Sequence, residues 1–107
     1  MKTIAMILAL GVAGGALASG NPENGKAKAA QVCGACHGPE GNKPSAPDQP
    51  VLAGQYPDYL IRALTDYKSG QRKNPIMQGF AGQLSKQDIE DLAAWFSSQR
   101  TPLHNER

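Results

Sequence analysis

The chain has 107 residues, with 11 Lys or Arg side chains against 9 Asp or Glu, which gives a formal net charge of +2. This length is enough for one domain and too short for two. The near balance of charge, without a basic cluster, argues against a protein that binds nucleic acid.

Residues 1–18 have the features of a secretory signal peptide. Lys2 gives a positive start, Ile4 to Leu17 is an uncharged apolar run, and Ala18 ends a stretch of small residues suited to cleavage. An uncleaved membrane anchor is the alternative, but the run is short for a membrane-spanning helix and contains three glycines. We therefore predict a cleaved signal, a periplasmic protein without a membrane span, and one folded domain over residues 19–107.

The first predicted helix begins at Asn21 and Pro22 and runs to Cys33. Asn is a favourable N-cap, and Pro is favourable at the first helical position. A long irregular segment follows from Gly38 to Gly54, because its four prolines prevent a regular helix and disfavour a strand. A connection of this length in a small domain usually has a function.

The second predicted helix runs from Pro57 to Ser69, with Gly70 as its C-terminal cap. Its apolar residues recur at helical spacing and predict a stripe that faces the core: Tyr56, Leu60, Ala63, Leu64 and Tyr67. We predict that Gln71 to Gln83, which contains Asn74-Pro75 and two glycines, is a second irregular segment.

The last predicted helix has the clearest local signals. Ser85 and Asp88 resemble a capping box, flanked by Leu84 and Ile89 at the positions of a hydrophobic staple. The helix then carries one apolar face, with Trp95 beside it: Ile89, Leu92, Ala93 and Phe96. Strand signals are essentially absent, so the predicted fold class is all-α with long connecting loops.

The segment Cys33-Gly34-Ala35-Cys36-His37 has the C-x-x-C-H spacing of covalent haem attachment. Two thiols one helical turn apart can each add to a haem vinyl group, and the adjacent imidazole can then reach the iron. The small residues between the cysteines let the porphyrin edge approach the backbone. We therefore predict one haem c, held by Cys33 and Cys36, with His37 as a ligand of the iron.

Two other chemistries use closely spaced cysteines. A redox-active dithiol would normally lie on a βαβ pattern, which this sequence lacks. A structural zinc site needs four ligands, and the cysteine and histidine candidates are Cys33, Cys36, His37 and His104. His104 lies near a polar C-terminal end, which is a poor place for a closed site.

Met77 is the predicted second axial ligand of the iron. It is the one methionine that remains after residues 1–18, and it lies in the second irregular segment. A thioether ligand raises the reduction potential and closes the iron to substrates. The alternatives are a methionine that fills a gap in the core, and His104 as the axial ligand.

Over residues 20–99 the chain resembles the bacterial class I cytochromes c, and in particular each half of the periplasmic di-haem cytochromes of that class. The likeness rests on short motifs in matching order: Gly25-Lys26, Cys33 to Gly38, Gly41-Asn42, Leu52-Ala53-Gly54-Gln55, Tyr59-Leu60, Asn74-Pro75-Ile76-Met77, Leu84-Ser85 and Leu92-Ala93-Ala94-Trp95-Phe96. The resemblance implies His37 as the proximal and Met77 as the distal ligand. The di-haem relatives carry two haem motifs and this chain carries one, so we predict one haem per chain.

The resemblance also implies a small cytochrome c fold, with three main helices and long loops wrapped around the covalent haem. In this fold the first and last helices cross closely at Gly25, near Trp95, because glycine lacks a side chain. The resemblance further implies that the Pro50 carbonyl accepts the Nδ1 hydrogen of His37 and that Leu52 packs on the haem.

We therefore expect a one-electron carrier of a respiratory or related chain, not an enzyme, that docks transiently with redox proteins. The sequence leaves open a homodimer that places two haems side by side. The alternative functions are a haem subunit of a larger periplasmic dehydrogenase or oxidase, and an open-site peroxidase or gas sensor. Five basic residues are candidate contacts for partners: Lys26, Lys28, Lys43, Arg72 and Lys73.

Overall fold

A computed structural model of the chain describes residues 20–100, so the predicted signal segment and His104 lie outside the described residues. These residues form five α-helices and one π-helical turn: α1 (Pro22–Lys28), the π-turn (Ala29–Cys33), α2 (Gly34–His37), α3 (Pro57–Ser69), α4 (Pro75–Ala81) and α5 (Lys86–Ser97). No strand occurs between residues 20 and 100. The prediction of an all-α fold is confirmed.

Helix α1 begins as the sequence predicts. The Asn21 side chain accepts hydrogen bonds from the backbone N–H groups of Glu23 and Asn24, and Pro22 occupies the first helical position. The helical path does not stop at Cys33, because the π-turn and α2 continue it to residue 37. Gly38, at φ 87°, then ends the helix in a conformation that favours glycine.

The first and last helices cross at Gly25. A Cβ atom at this position would lie 2.8 Å from the Trp95 Cβ and would overlap the backbone carbonyl of Asp91 on α5. The buried Asp91 carboxylate also fastens the crossing, since it accepts the Asn21 backbone N–H at 2.8 Å. The close approach that the resemblance implies is therefore present.

Helix α3 has the predicted bounds and ends at Gly70, which adopts a left-handed conformation with φ 86°. Leu60 is buried, and Leu64 and Tyr67 pack against the core, as the apolar stripe predicts. Tyr56 is an exception, because it precedes the first turn and is 55% exposed. It therefore lies outside the packed stripe.

The prediction that residues 71–83 are irregular is wrong, because α4 occupies the middle of this segment. The Asn74 side chain accepts the backbone N–H groups of Ile76 and Met77, each at 3.1 Å, and Pro75 takes the first helical position. This is the same Asn-Pro start as in α1. The cap contributes about 1 kcal/mol, which is similar to the cost of Gly79 within the helix relative to alanine.

Helix α5 begins with the predicted capping box. The Ser85 hydroxyl accepts the Asp88 backbone N–H at 2.9 Å, and the Asp88 carboxylate accepts the Ser85 backbone N–H at 2.9 Å. The hydrogen bond from the Ser85 backbone N–H lowers the pKa of the Asp88 carboxyl, and the charge of the nearby Lys28 ammonium lowers it further. The predicted apolar face is buried: Ile89, Leu92, Ala93 and Phe96, with the staple residue Leu84.

Replacing Ser85 by alanine should lower the free energy of unfolding by about 1 kcal/mol, because an orphan N–H group at the start of α5 loses its acceptor. The measurement is denaturant unfolding of the holoprotein at neutral pH. Ser69→Ala is the matched control, since the hydrogen bonds of the Ser69 hydroxyl within residues 20–100 are long, at 3.3 and 3.4 Å. Equal losses in the two variants would contradict the role given to the cap.

Candidate functional site

The C-x-x-C-H motif lies on the helical path that leads from the π-turn into α2. Cys33 ends the π-turn, and Cys36 and His37 belong to α2. The two thiols are free and half-buried. The helical geometry therefore presents both sulfurs and the imidazole to one cavity, whose walls contain all three side chains.

This cavity has a volume of about 320 Å³, in the range of about 300 to 1,000 Å³ typical of sites for small organic ligands and cofactors. Its walls come from the π-turn, α2, α3, α4, α5 and the proline-rich loop, which is the irregular segment of residues 38–54. The apolar part of the lining includes Val32, Leu52, Leu60, Leu64, Leu84 and Phe96. A lining of this kind is suited to a flat apolar ligand that carries a few polar substituents.

His37 is buried, with 6% of its surface exposed. Its Nδ1 atom lies 2.9 Å from the Pro50 carbonyl oxygen, and this contact makes Nδ1 the donor nitrogen. Nε2 then keeps its lone pair and can serve as a metal ligand. The imidazole is therefore oriented by the proline-rich loop.

The loop that carries Pro50 is held in place by backbone hydrogen bonds. The Gly41 carbonyl accepts the N–H groups of Leu52 and Ala53 at 2.8 and 3.1 Å, and Gly54 donates to the Phe96 carbonyl at 2.8 Å. A Cβ atom at Gly41, where φ is 81°, would lie 2.7 Å from the Phe96 ring. The loop thus packs directly on α5, which fixes its position over the motif.

The pKa of the Cys33 thiol distinguishes it from the thiol of an activated dithiol. Burial, with a smaller contribution from the charge of Cys36, raises the pKa of the Cys33 thiol to about 11. Redox-active dithiols instead have a thiol whose pKa is lowered to about 7 or below. Cys33 therefore lacks the electrostatic environment of an activated thiol in a thioredoxin-like site.

Met77 occupies the first turn of α4 and is half-buried on the wall of the same cavity. The far end of this helix is tied to α3, because the Lys68 ammonium donates to the carbonyls of Gly82 and Leu84 at 3.1 and 2.7 Å. The Asn74 cap fixes the near end. Met77 is thus carried by a helix that is anchored at both ends.

The six residues predicted to bind the cofactor all line this one cavity: Cys33, Cys36, His37, Pro50, Leu52 and Met77. His104, the alternative ligand, lies outside the described residues. The cavity has further lining residues that were not predicted to bind the cofactor, among them Tyr59, Tyr67, Arg72 and Phe80. Tyr67 could have been found from the helical stripe of α3, whereas no local signal places Arg72 at the cavity.

Within residues 20–100, no group of three or more His, Cys, Asp or Glu side chains has the arrangement of a metal site. None of the helices in this range is long and apolar enough to cross a membrane.

The donor set fits a covalent haem. Two thiols, an oriented imidazole and a thioether meet at one cavity with mainly apolar walls, and these are the groups that c-type haem attachment and axial ligation use. The fold and the site together therefore define a small all-α c-type cytochrome domain.

Comparison with known proteins gives the family. The family described as "Cytochrome C oxidase, cbb3-type, subunit III" matches residues 20–96. Cytochrome c4 of Pseudomonas aeruginosa is 48% identical over 97 residues, which cover 91% of this chain and 47% of the relative. Cytochrome c-554(548) of Halomonas halodenitrificans is 44% identical over 71 residues, which cover 64% of this chain and 84% of the relative.

Among solved structures, reduced recombinant cytochrome c4 from Pseudomonas stutzeri superimposes with a TM-score of 0.70 at 47% identity, covering 77% of this chain and 47% of that chain. The match over residues 20–96 and these relatives show that the chain belongs to the class I cytochromes c, which bind c-type haem. It spans about half the length of the cytochrome c4 relatives that it matches.

Proposed function

We propose that this chain is a periplasmic one-electron carrier of a respiratory or related chain. Its haem is attached to Cys33 and Cys36, with His37 and Met77 as the axial ligands. The observation that carries the proposal is the convergence of these four side chains on one cavity. They come from two segments separated by the whole of α3, so their meeting is a property of the fold.

The residues of the chain act mainly by holding the metal ligands and excluding water. The Pro50 carbonyl, 2.9 Å from Nδ1, keeps the imidazole of His37 in one orientation and increases its basicity toward a metal. Leu52 and the other apolar walls keep the site at a low dielectric constant. The haem, when bound, supplies the one-electron exchange, and the protein tunes its potential.

The distinction between an electron carrier and an enzyme depends on whether Met77 is a ligand of the iron. As a ligand of the iron, the Met77 thioether would leave no open coordination site for a substrate and would raise the reduction potential. For this reason the proposed function is electron transfer without catalysis, and the open-site peroxidase or gas sensor is the less favoured reading.

We further propose that residues 1–18 are a cleaved signal and that residues 19–107 form the cytochrome domain. In the periplasm the domain would dock transiently with a donor and an acceptor protein. A homodimer is a further proposed arrangement.

A second candidate function is supported by the family match, whose description names a subunit of an oxidase. In that case the same domain would pass electrons within a larger complex. Co-purification with a catalytic subunit from the native host would favour this candidate, whereas isolation as a free domain would favour the diffusing carrier.

The test of the proposed function is a potentiometric titration combined with carbon monoxide addition to the reduced native protein. We expect a one-electron Nernst curve and no rapid binding of carbon monoxide, because both axial positions are filled by side chains. Rapid binding by the unmodified protein would overturn the electron-carrier proposal and favour an open-site function.

A further inference from the structure

Helix α4, which carries Met77, is held to the rest of the domain by few buried side chains. Of its seven residues, Ala81 is buried and Met77 is half-buried, whereas the others are exposed. An isolated helix of this length is not stable in water, and Gly79 weakens it further. Segments with few buried apolar contacts open at a low cost in free energy. The position of α4 therefore depends on the polar contacts at its two ends.

Lys68, in the last turn of α3, makes the polar contact at the C-terminal end of α4. Its ammonium donates to the Gly82 carbonyl at 3.1 Å and to the Leu84 carbonyl at 2.7 Å. Gly82 is the C-cap of α4, and Leu84 is the buried residue that precedes the N-cap of α5. One side chain thus joins α3 to the end of α4 and to the start of α5.

The Lys68 contact has the features of a strong hydrogen bond. The donor is charged, the distance to the Leu84 carbonyl is short, and a cation near the C-terminus of a helix is favourable. Lys68 is not among the described residues that line the cavity. Any effect of this side chain on the iron ligand must therefore act through the position of α4.

We propose that Lys68 is a positioning residue that controls how often Met77 leaves the iron, and so limits the access of small ligands to it. The inference rests on the proposed haem site, because it takes Met77 as the second axial ligand. When the Lys68 hydrogen bonds break, the end of α4 is free to move away from α3 and to carry the Met77 sulfur with it. A small ligand can bind only in that open arrangement.

The experiment measures the rate at which excess carbon monoxide binds to the reduced holoprotein, where the departure of Met77 limits the rate. Lys68→Gln is compared with the wild type and with Lys68→Arg, which keeps the charge and the donors. Arg62→Gln removes the same charge from α3, but Arg62 pairs with Asp66 of its own helix at 3.3 Å. The far-red band of the ferric form reports methionine ligation in each variant.

A further control separates a local effect on α4 from a general loss of stability. Ser85→Ala removes the cap of α5 and lowers the free energy of unfolding without touching the contacts of Lys68. Denaturant unfolding of Lys68→Gln and Ser85→Ala shows how far each substitution destabilises the whole domain.

We expect carbon monoxide to bind about tenfold faster to Lys68→Gln than to the wild type, which corresponds to about 1.4 kcal/mol. Lys68→Arg should restore most of the slow rate, and Arg62→Gln and Ser85→Ala should keep the rate of the wild type. A rate in Lys68→Gln equal to that of the wild type, or matched by Ser85→Ala, would overturn the inference and leave the electron-carrier proposal standing. Rapid binding by the wild type itself would instead overturn the proposed function.

Discussion

Replacing Met77 by alanine should lower the reduction potential of the holoprotein by on the order of 100 mV or more, within the span of about 0.8 V that axial ligands set. In the proposed site the thioether would stabilise the reduced iron, and its removal would leave one coordination position open. The variant should therefore also bind carbon monoxide when reduced. Potentiometric titration and carbon monoxide addition measure the two effects.

Ile76→Ala is the control for this variant. Ile76 precedes Met77 on α4, lines the same cavity and is 68% exposed, so its truncation changes the apolar surface without removing a sulfur ligand. A potential that is unchanged in Met77→Ala would contradict the assignment of Met77. If His104→Ala then lowered the potential, the second ligand would be His104.

Replacing Gly25 by alanine should destabilise the holoprotein by about 1 to 3 kcal/mol, the usual cost of overpacking a tight contact. The new methyl group would overlap the Asp91 carbonyl and lie 2.8 Å from the Trp95 Cβ, so α1 would have to move away from α5. Backbone atoms on α5 cannot rotate out of the way. Denaturant unfolding of the holoprotein measures the loss.

Gly79→Ala is the matched substitution, because Gly79 lies within α4 and a Cβ there would meet no other atom within 4 Å. An alanine in an open helical position normally gains about 0.5 to 1 kcal/mol over glycine. The two variants should therefore change stability in opposite directions. A Gly25→Ala protein as stable as the wild type would contradict the close crossing.

The elements that could be predicted are those encoded by local chemistry. The Asn21-Pro22 start of α1, the Ser85–Asp88 capping box and the Gly70 cap each depend on a few neighbouring residues, and the structure has all three where they were expected. The haem motif is local in the same sense, since its spacing defines one helical turn. Patterns of this kind can be interpreted without knowing the rest of the fold.

Helix α4 was missed although its start repeats the Asn-Pro signal of α1. Its seven residues include Gly79 and are followed by Gly82, so the composition of the segment favours a loop. One contact that stabilises the end of α4 comes from a residue distant in the sequence, because Lys68 of α3 donates to the Gly82 carbonyl. A local sequence pattern does not contain this contact, so the sequence alone does not predict α4.

The position of Arg72 likewise depends on tertiary structure. By sequence it was one of several basic surface residues, whereas the fold brings it beside Tyr59 and Tyr67 at the cavity. The bond from the Trp95 indole Nε1 to the Pro39 carbonyl, 2.9 Å long, is another contact between distant segments. Such pairings follow from how the helices and the proline-rich loop pack, and one sequence does not specify them locally.

The central claim is a covalent haem with His37 and Met77 as its ligands, and absorption spectroscopy tests it most directly. The protein is exported from a host with cytochrome c maturation, and spectra of the oxidised and dithionite-reduced forms are recorded before and after acid–organic extraction. We predict sharp reduced bands that resist extraction and the weak far-red band of methionine-bound ferric haem. Haem that is extracted, or a far-red band that is absent, would contradict the attachment or the Met77 ligation respectively.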